Sequence, residues 1–446
     1  MKLARRHFTP LLPLALGLLS LRAQPAPQPP VPDQHDLKTA VNFALKNNFS
    51  IRQARERIKQ QDGVVIEVTA RAIPNVAATG AYQQNGKEIS QTAPASDSVW
   101  TVSLTASQTL FSGGGVRSAV KGSQLAREAA VLDLKSVIND ALLSVRVTFY
   151  DVLLAREKIK VQEQNLTLLQ QQLRNATDRY RAGTVSAFEQ LRAEVSVANA
   201  QVPLITARND YRLAIEALRQ ALGFTTNNLD SIRKIPEIVG SLDYTPASFE
   251  LLAAFDAAHK NRPDLQRLAK LIDSRQESVT AARSTYYPNL ALVGGWLFRK
   301  GPSNSFDDSR DGVFVGLQSQ WNIFDGRATA GRVVQAKSAL EQSRLQFTEA
   351  QLAVEVEVRT AFSAFQEATE LADASQKVVA QAEEAVRLAT ARYDAGTATQ
   401  LDVLQAQVDL TTARTNQLQA YYAHNVAVAR LRKATGLADV YDVTGP

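Results

Sequence analysis

Two carboxylates, Glu189 and Asp402, stand in near-copies of one motif. RYRAGTVSAFEQL begins at Arg179 and RYDAGTATQLDVL at Arg392, 213 positions apart. An acid three residues after a Ser or Thr can close a capping box at a helix start, as Ser186 with Glu189 and Thr399 with Asp402 would. A carboxylate at a pore mouth can also attract cations, and the residues alone leave both roles open. Other chemistry finds no residue set. The four histidines, His7, His35, His259 and His424, are dispersed, and neither H-E-x-x-H, G-x-S-x-G nor a phosphate loop occurs. The glycine-rich SGGGVRS at 112–118 lacks the Lys-Ser ending of a phosphate loop, and its glycines suit a sharp bend after a strand. No enzyme activity, cofactor or metal site is expected.

The elements that must hold the two acids are long helices. From Gly113 to Arg181 there is no proline and no glycine after Gly122, a stretch of ~100 Å at 1.5 Å per residue. Apolar residues fall at steps of three and four, as in coiled coils. Leu166, Leu169, Leu173, Ala176 and Tyr180 approach the first motif, and Phe188, Leu191, Val195, Ala198, Val202 and Ile205 leave it. Val379, Ala382, Val386, Ala389 and Tyr393, then Leu401, Leu404 and Val408, repeat the pattern. Each motif therefore reads as the tip of an antiparallel helical hairpin, with Gly183 and Gly396 ending a helix in the left-handed conformation. Pro203 predicts a kink in the first return helix near residue 199.

The same offset aligns TLFSGG (109–114) with NIFDGR (322–327), placing Phe111 on Phe324 and Gly113 on Gly326 at a strand-to-helix corner. The chain thus reads as two copies of one unit, 37–223 and 250–437, joined by a linker, 224–249, and followed by a tail, 438–446. Each unit opens with two strand candidates, at about 74–112 and 288–325. Trp100, Val102, Leu104, Ala106 and Leu110 alternate with Thr and Ser, and Val313, Val315, Leu317, Trp321 and Ile323 alternate with Gly, Gln and Asn. Trp100, Trp296 and Trp321 on the apolar face match the aromatic girdle of a membrane barrel, although alternation by itself fits a globular sandwich equally well.

Residues 1–23 read as a secretory leader with Lys2, Arg5 and Arg6 ahead of an apolar run, followed by a Pro-rich segment, 24–36. Export agrees with the absence of cysteine. Of the 50 basic residues four lie in the leader, leaving 46 against 44 acids, which gives nucleic-acid binding no support.

Taken together, the leader, the duplicated strand–strand–long-helix unit, the LFSGG and IFDGR corners and the Y-x-x-G-x-x-x-x-L-D-V-L tip resemble the TolC-type outer-membrane efflux proteins. The resemblance implies a mainly α protein with a membrane β-barrel: a homotrimer whose protomers each give four strands to one twelve-stranded barrel that continues into a periplasmic helical tunnel. It implies outer-membrane lipid around the barrel, a periplasmic adaptor at the tips and an inner-membrane pump behind it as the energy source. Independently, four strands fall short of the roughly eight that close a barrel, and an open edge in lipid leaves unpaired backbone groups. By motif, Asp402 corresponds to the first acid of the family's tunnel entrance, and Gln405 stands where relatives often carry another. A gate link between Tyr393 and Glu189 is implied, while a second is missing because Ala398 and Phe188 occupy its positions. Adaptor docking falls on Arg179, Gly183, Thr184, Arg392, Gly396 and Thr397. The alternative is a periplasmic coiled-coil adaptor or scaffold, against which the two lipid-type hairpins argue.

Overall fold

The computed structural model describes residues 34–86, 98–224, 237–301 and 305–437; the leader, most of the Pro-rich segment, residues 225–236 of the linker and the tail lie outside the described residues. The first copy comprises α1 (Leu37–Asn47), α2 (Phe49–Thr69), β2 (Asn75–Gln84), β3 (Ser98–Phe111), α3 (Gly115–Arg181) and α4 (Ala187–Leu222). The second repeats the order in α5 (Leu251–Asn261), α6 (Pro263–Arg283), β5 (Asn289–Lys300), β6 (Ser309–Gln320), α7 (Ala328–Asp394) and α8 (Gln400–Ala434). Two short strands, β1 (Gln34–His35) and β4 (Glu237–Ile238), pair in parallel and fasten the start of copy one to the segment between the copies. Helices α3 and α7 have the same length, 67 residues, or ~100 Å.

Strands β2, β3, β5 and β6 form one antiparallel sheet in that order, leaving β2 and β6 as open edges. Register places Leu104 between Ala78 and Trp296, and Ala106 between Val76 and Gly294, so the large apolar residues share one face. Thr79, Ser103 and Thr105 take the other, where the Thr79 and Ser103 hydroxyls hydrogen-bond at 2.7 Å. The 12 residues of β6 span about 40 Å, or ~28 Å of height at the ~45° tilt of barrel strands, which matches a bilayer's apolar thickness. Trp100 and Trp296 cluster on Phe298 near the loop end, with ring centroids 4.7 and 5.6 Å away. Trp321 sits at the opposite end. It lies one residue past β6, at the helical end, and its indole N–H donates to the Tyr286 carbonyl at 3.1 Å. The tryptophans therefore mark both ends of the apolar band.

Below the sheet the helices lie side by side in the strands' own order, α2–α3–α6–α7. Past the middle of the molecule, α4 and α8 replace the shorter helices and the order becomes α4–α3–α8–α7. The predicted seam is corrected on the return helices. Phe188, Leu191, Val195, Val202 and Ile205 on α4 are exposed, as are Leu401 and Val408 on α8. The faces they bury instead carry Ala193, Ala200, Leu204 and Ala207 on α4 and Val403, Ala406, Leu410 and Ala413 on α8, a mixture of alanines and larger aliphatic residues. Pro203 does not interrupt α4, which runs unbroken from Ala187 to Leu222.

Two apolar cores flank the equator. One centres on Ile51, Val145, Phe149, Leu153 and Leu218, the other on Leu265, Val358, Phe365 and Leu431. The copies also share a tie. Asn48 donates its amide to the Ala221 carbonyl at 2.7 Å, and Arg262 donates a guanidinium N–H to the equivalent Ala434 carbonyl at 3.3 Å. Residues 239–250 form a strap without regular structure, held down by side chains. His424 meets the Thr245 carbonyl at 3.1 Å, Asn425 donates to the Asp243 carbonyl at 2.9 Å, and Tyr244 packs edge-on against the His424 ring.

Candidate functional site

Both hairpin tips close in the same way. In the first, the Gly183 N–H donates to the Tyr180 carbonyl and the Thr184 N–H to the Arg179 carbonyl, each at 2.9 Å. In the second, Gly396 donates to Tyr393 at 3.0 Å and Thr397 to Arg392 at 2.9 Å. This pair of bonds is a Schellman closure, whose turn residue must be left-handed, and Gly183 and Gly396 have φ of 75° and 76°. The Thr184 and Thr397 hydroxyls add a second bond to the same carbonyls, at 2.9 and 3.1 Å. The sequence predicted the glycine turns but not these hydroxyls.

The return helices start differently. Thr399 and Asp402 form a complete capping box: the Thr399 hydroxyl accepts from the Asp402 N–H, and the Asp402 carboxylate accepts from the Thr399 N–H and hydroxyl at 2.8 Å each. The predicted box at Ser186 is half a box. Ser186 accepts from the Glu189 N–H at 3.4 Å, while the Glu189 carboxylate accepts nothing from Ser186. The Thr399 backbone and hydroxyl bonds hold the Asp402 carboxyl below its ordinary 3.8, so it keeps its charge and its cap at any pH above that value. Asp402→Ala is expected to speed amide exchange over the first turn of α8 and to lower cation selectivity in bilayers. Faster exchange with unchanged selectivity would confine Asp402 to capping.

Tyr393 departs from its predicted partner. Instead of meeting Glu189, its ring lies under the Arg179 guanidinium, 4.7 Å from centroid to carbon, and Arg179 also pairs with Asp394 at 3.0 Å. One arginine from copy one thus grips the tip of copy two, and the acid it uses, Asp394, replaces the arginine of RYR in the first motif. Gln405 is exposed and donates to Asp409 at 3.0 Å. Asp409 was missed in the sequence, although its position seven residues after Asp402 sets both acids on one helix face. Deeper in the tip half, Gln172, Gln400 and Gln407 carry buried amide atoms without a hydrogen-bond partner among the described residues. At the barrel end, Gly113 and Gly326 are left-handed, with φ of 59° and 64°, and turn the chain from Phe111 and Phe324 into α3 and α7.

Among the described residues no group of three or more His, Asp or Glu converges as a metal site, and no helix is long and apolar enough to cross a membrane. What the architecture offers is a strand sheet of bilayer height on a sheath of helices with polar tips. The profile of the outer membrane efflux protein family matches residues 40–224 and 254–437. The chain belongs to that family.

Among characterised efflux relatives, the cobalt-zinc-cadmium resistance protein CzcC of Cupriavidus metallidurans is 26% identical over 86% of this chain and 85% of its own length. The outer membrane efflux protein BepC of Brucella suis is 25% identical over 90% and 85%. The solved structure of the Vibrio cholerae outer membrane protein VceC superposes with a TM-score of 0.77 at 19% identity, over 90% of this chain and 96% of that one. Fold and family thus agree, and the efflux family is one of channel proteins.

Proposed function

We propose that this efflux protein is the exit duct of an export system that spans both membranes. It is a passive conduit from periplasm to exterior, energised by an inner-membrane pump through a periplasmic adaptor. The observation that carries this reading is that each protomer is open on both sides at every level. β2 and β6 are free edges of a four-stranded sheet. In the tip half the outer helices α4 and α7 expose Leu191, Val195, Val202 and Ile205 on one side and Leu371, Val378 and Leu388 on the other. Apolar stripes of this length seek a partner, and copies that join β6 to β2 also join α7 to α4. Three copies give twelve strands, a closed barrel; the number follows the family. A trimer that migrates heat-modifiably from outer-membrane extracts is expected, and a soluble periplasmic monomer would overturn the reading.

The tips form the periplasmic entrance. Asp402, with Gln405 and Asp409, lines it, while Arg179, Gly183, Thr184, Arg392, Gly396 and Thr397 offer the surface an adaptor grips. Arg179 is the clasp between the two hairpins of one chain. Its ion pair is exposed and stabilises folding by at most ~1 kcal/mol, so Arg179→Ala should leave the melting temperature within a few degrees. Single-channel conductance should nevertheless rise, and spin labels on the two tips should move apart. Unaltered label distances would refute the clasp.

A further inference from the structure

The corner where β3 enters α3 holds a groove of about 640 Å³ that the duct function leaves unused. Leu110, Phe111, Val116 and Val120 form its apolar wall, and Arg117 and Lys121, one helical turn apart, stand at its rim. Leu110 and Phe111 are 54% and 47% exposed, at the level where Trp321 and Tyr286 mark the helical end of the apolar band. A strand irregularity between Thr109 and Phe111 turns Phe111 onto the lipid-side face, opposite Leu290.

Charge is the second observation. Lys121 is held by Glu277, and the Arg117 guanidinium, which closes no ion pair within 4 Å among the described residues, also acts on the Glu277 carboxylate from nearby. Arg283 and Arg327, exposed at the neighbouring corners, also lack an ion pair among the described residues. Arg117 and Lys121 thus stand together beside an apolar cleft, and the amino end of α3 adds its partial positive charge.

We propose that this groove seats a glycerophospholipid of the inner leaflet. The acyl chains lie along Leu110 and Phe111, and the phosphate is bound by Arg117 with Lys121 alongside. A guanidinium fits two phosphate oxygens at once, whereas the ammonium acts as a point charge. The groove is built by one protomer, between Ala72 and α3. The inference rests on the outer-membrane reading above.

Native mass spectrometry of the full chain extracted in mild detergent and titrated with phosphatidylglycerol tests it. The unaltered protein should retain lipid, and Arg117→Ala with Lys121→Ala should weaken retention roughly tenfold or more, from two interfacial charges. Arg117→Lys should restore part of the loss. Inorganic phosphate should leave the lipid bound; its displacing the lipid completely would reduce the site to a simple anion site and overturn the proposal. Equal retention by the unaltered and doubly substituted proteins would also overturn it. Heat-modifiable migration is measured on the same extracts. Correct insertion with unaltered retention defeats the lipid seat alone, whereas failure of the unaltered protein to insert defeats the outer-membrane reading.

Discussion

Arg262→Ala is expected to destabilise the protein by about 3 kcal/mol, the lower end of the cost of stripping one partner from a buried ion pair. The Arg262 side chain is only 8% exposed, yet it carries a full charge at the junction of α5 and α6. Two of its nitrogens meet both Asp264 carboxylate oxygens, at 3.0 and 2.7 Å, a bidentate pair. A third reaches Glu357 on α7 at 2.5 Å and the Ala434 carbonyl at the end of α8 at 3.3 Å. Lys433 extends the node, binding Glu357 at 3.0 Å and Asp140 on α3 at 3.3 Å. Alanine would leave Asp264 and a carbonyl unpaired and open a gap where four helices meet. Denaturant unfolding of the purified protein reads this directly, and a loss below ~1 kcal/mol would show that the node adds little. The node also sets an acid limit. Burial pushes the Glu357 and Asp264 carboxyls up, but bonds from Arg262, and for Glu357 from Lys433, outweigh it and hold both below their ordinary 4.5 and 3.8. Lowered carboxylates stabilise the fold fully above their unfolded values and lose that contribution as pH falls through the folded ones. Stability should therefore drop below about pH 4 in the natural protein, and this step should shrink in the Arg262→Ala variant, where Lys433 still holds Glu357.

Gly295→Val should remove the membrane-inserted form altogether. A Cβ at residue 295 would lie 2.2 Å from the Leu104 carbonyl oxygen and 3.1 Å from the Thr105 Cα. Both obstacles are backbone of β3, so no side-chain rotation relieves the clash. Strands β3 and β5 join the two copies, and separating them splits the sheet into two hairpins, each marginal by itself. Forced overpacking costs about 1–3 kcal/mol where side chains can yield, and more is expected here. Gly316→Val on β6 is the matched control, because nothing lies within 4 Å of its Cβ position. Loss of the heat-stable outer-membrane species for residue 295 and its retention for residue 316 are the expected pair. Normal insertion of both variants would mean that β3 and β5 lie farther apart than described.

What was legible in the sequence was what repeats or alternates. The tip motif, the corners and the polar and apolar strand faces announced themselves through spacing, and the structure places them at hairpin ends, strand ends and opposite sheet faces. The return helices were harder. Leu191, Val195 and Val202 have coiled-coil spacing, but spacing declares only that a partner exists. Within one protomer that partner is absent, and a different face of each return helix is buried instead. The Arg262 node was invisible for another reason. Its members come from positions 95 and 172 residues away, and a lone Arg before a proline reads as a solvated side chain. The clasp was misassigned because the resemblance supplied a partner for Tyr393, while Arg179 and Asp394 mark this chain's own solution.

The equatorial node carries a consequence for biogenesis. Its closing members, Lys433 and the Ala434 carbonyl, sit in the final turn of α8, whereas Asp140 and Arg262 emerge far earlier. A chain made amino end first therefore holds an incompletely neutralised charge cluster until its last helix is complete. Interrupted synthesis leaves that cluster open to solvent and the second core uncapped. Fragments that stop short of α8 lack Lys433 and the Ala434 carbonyl and are expected to be less stable than the full chain.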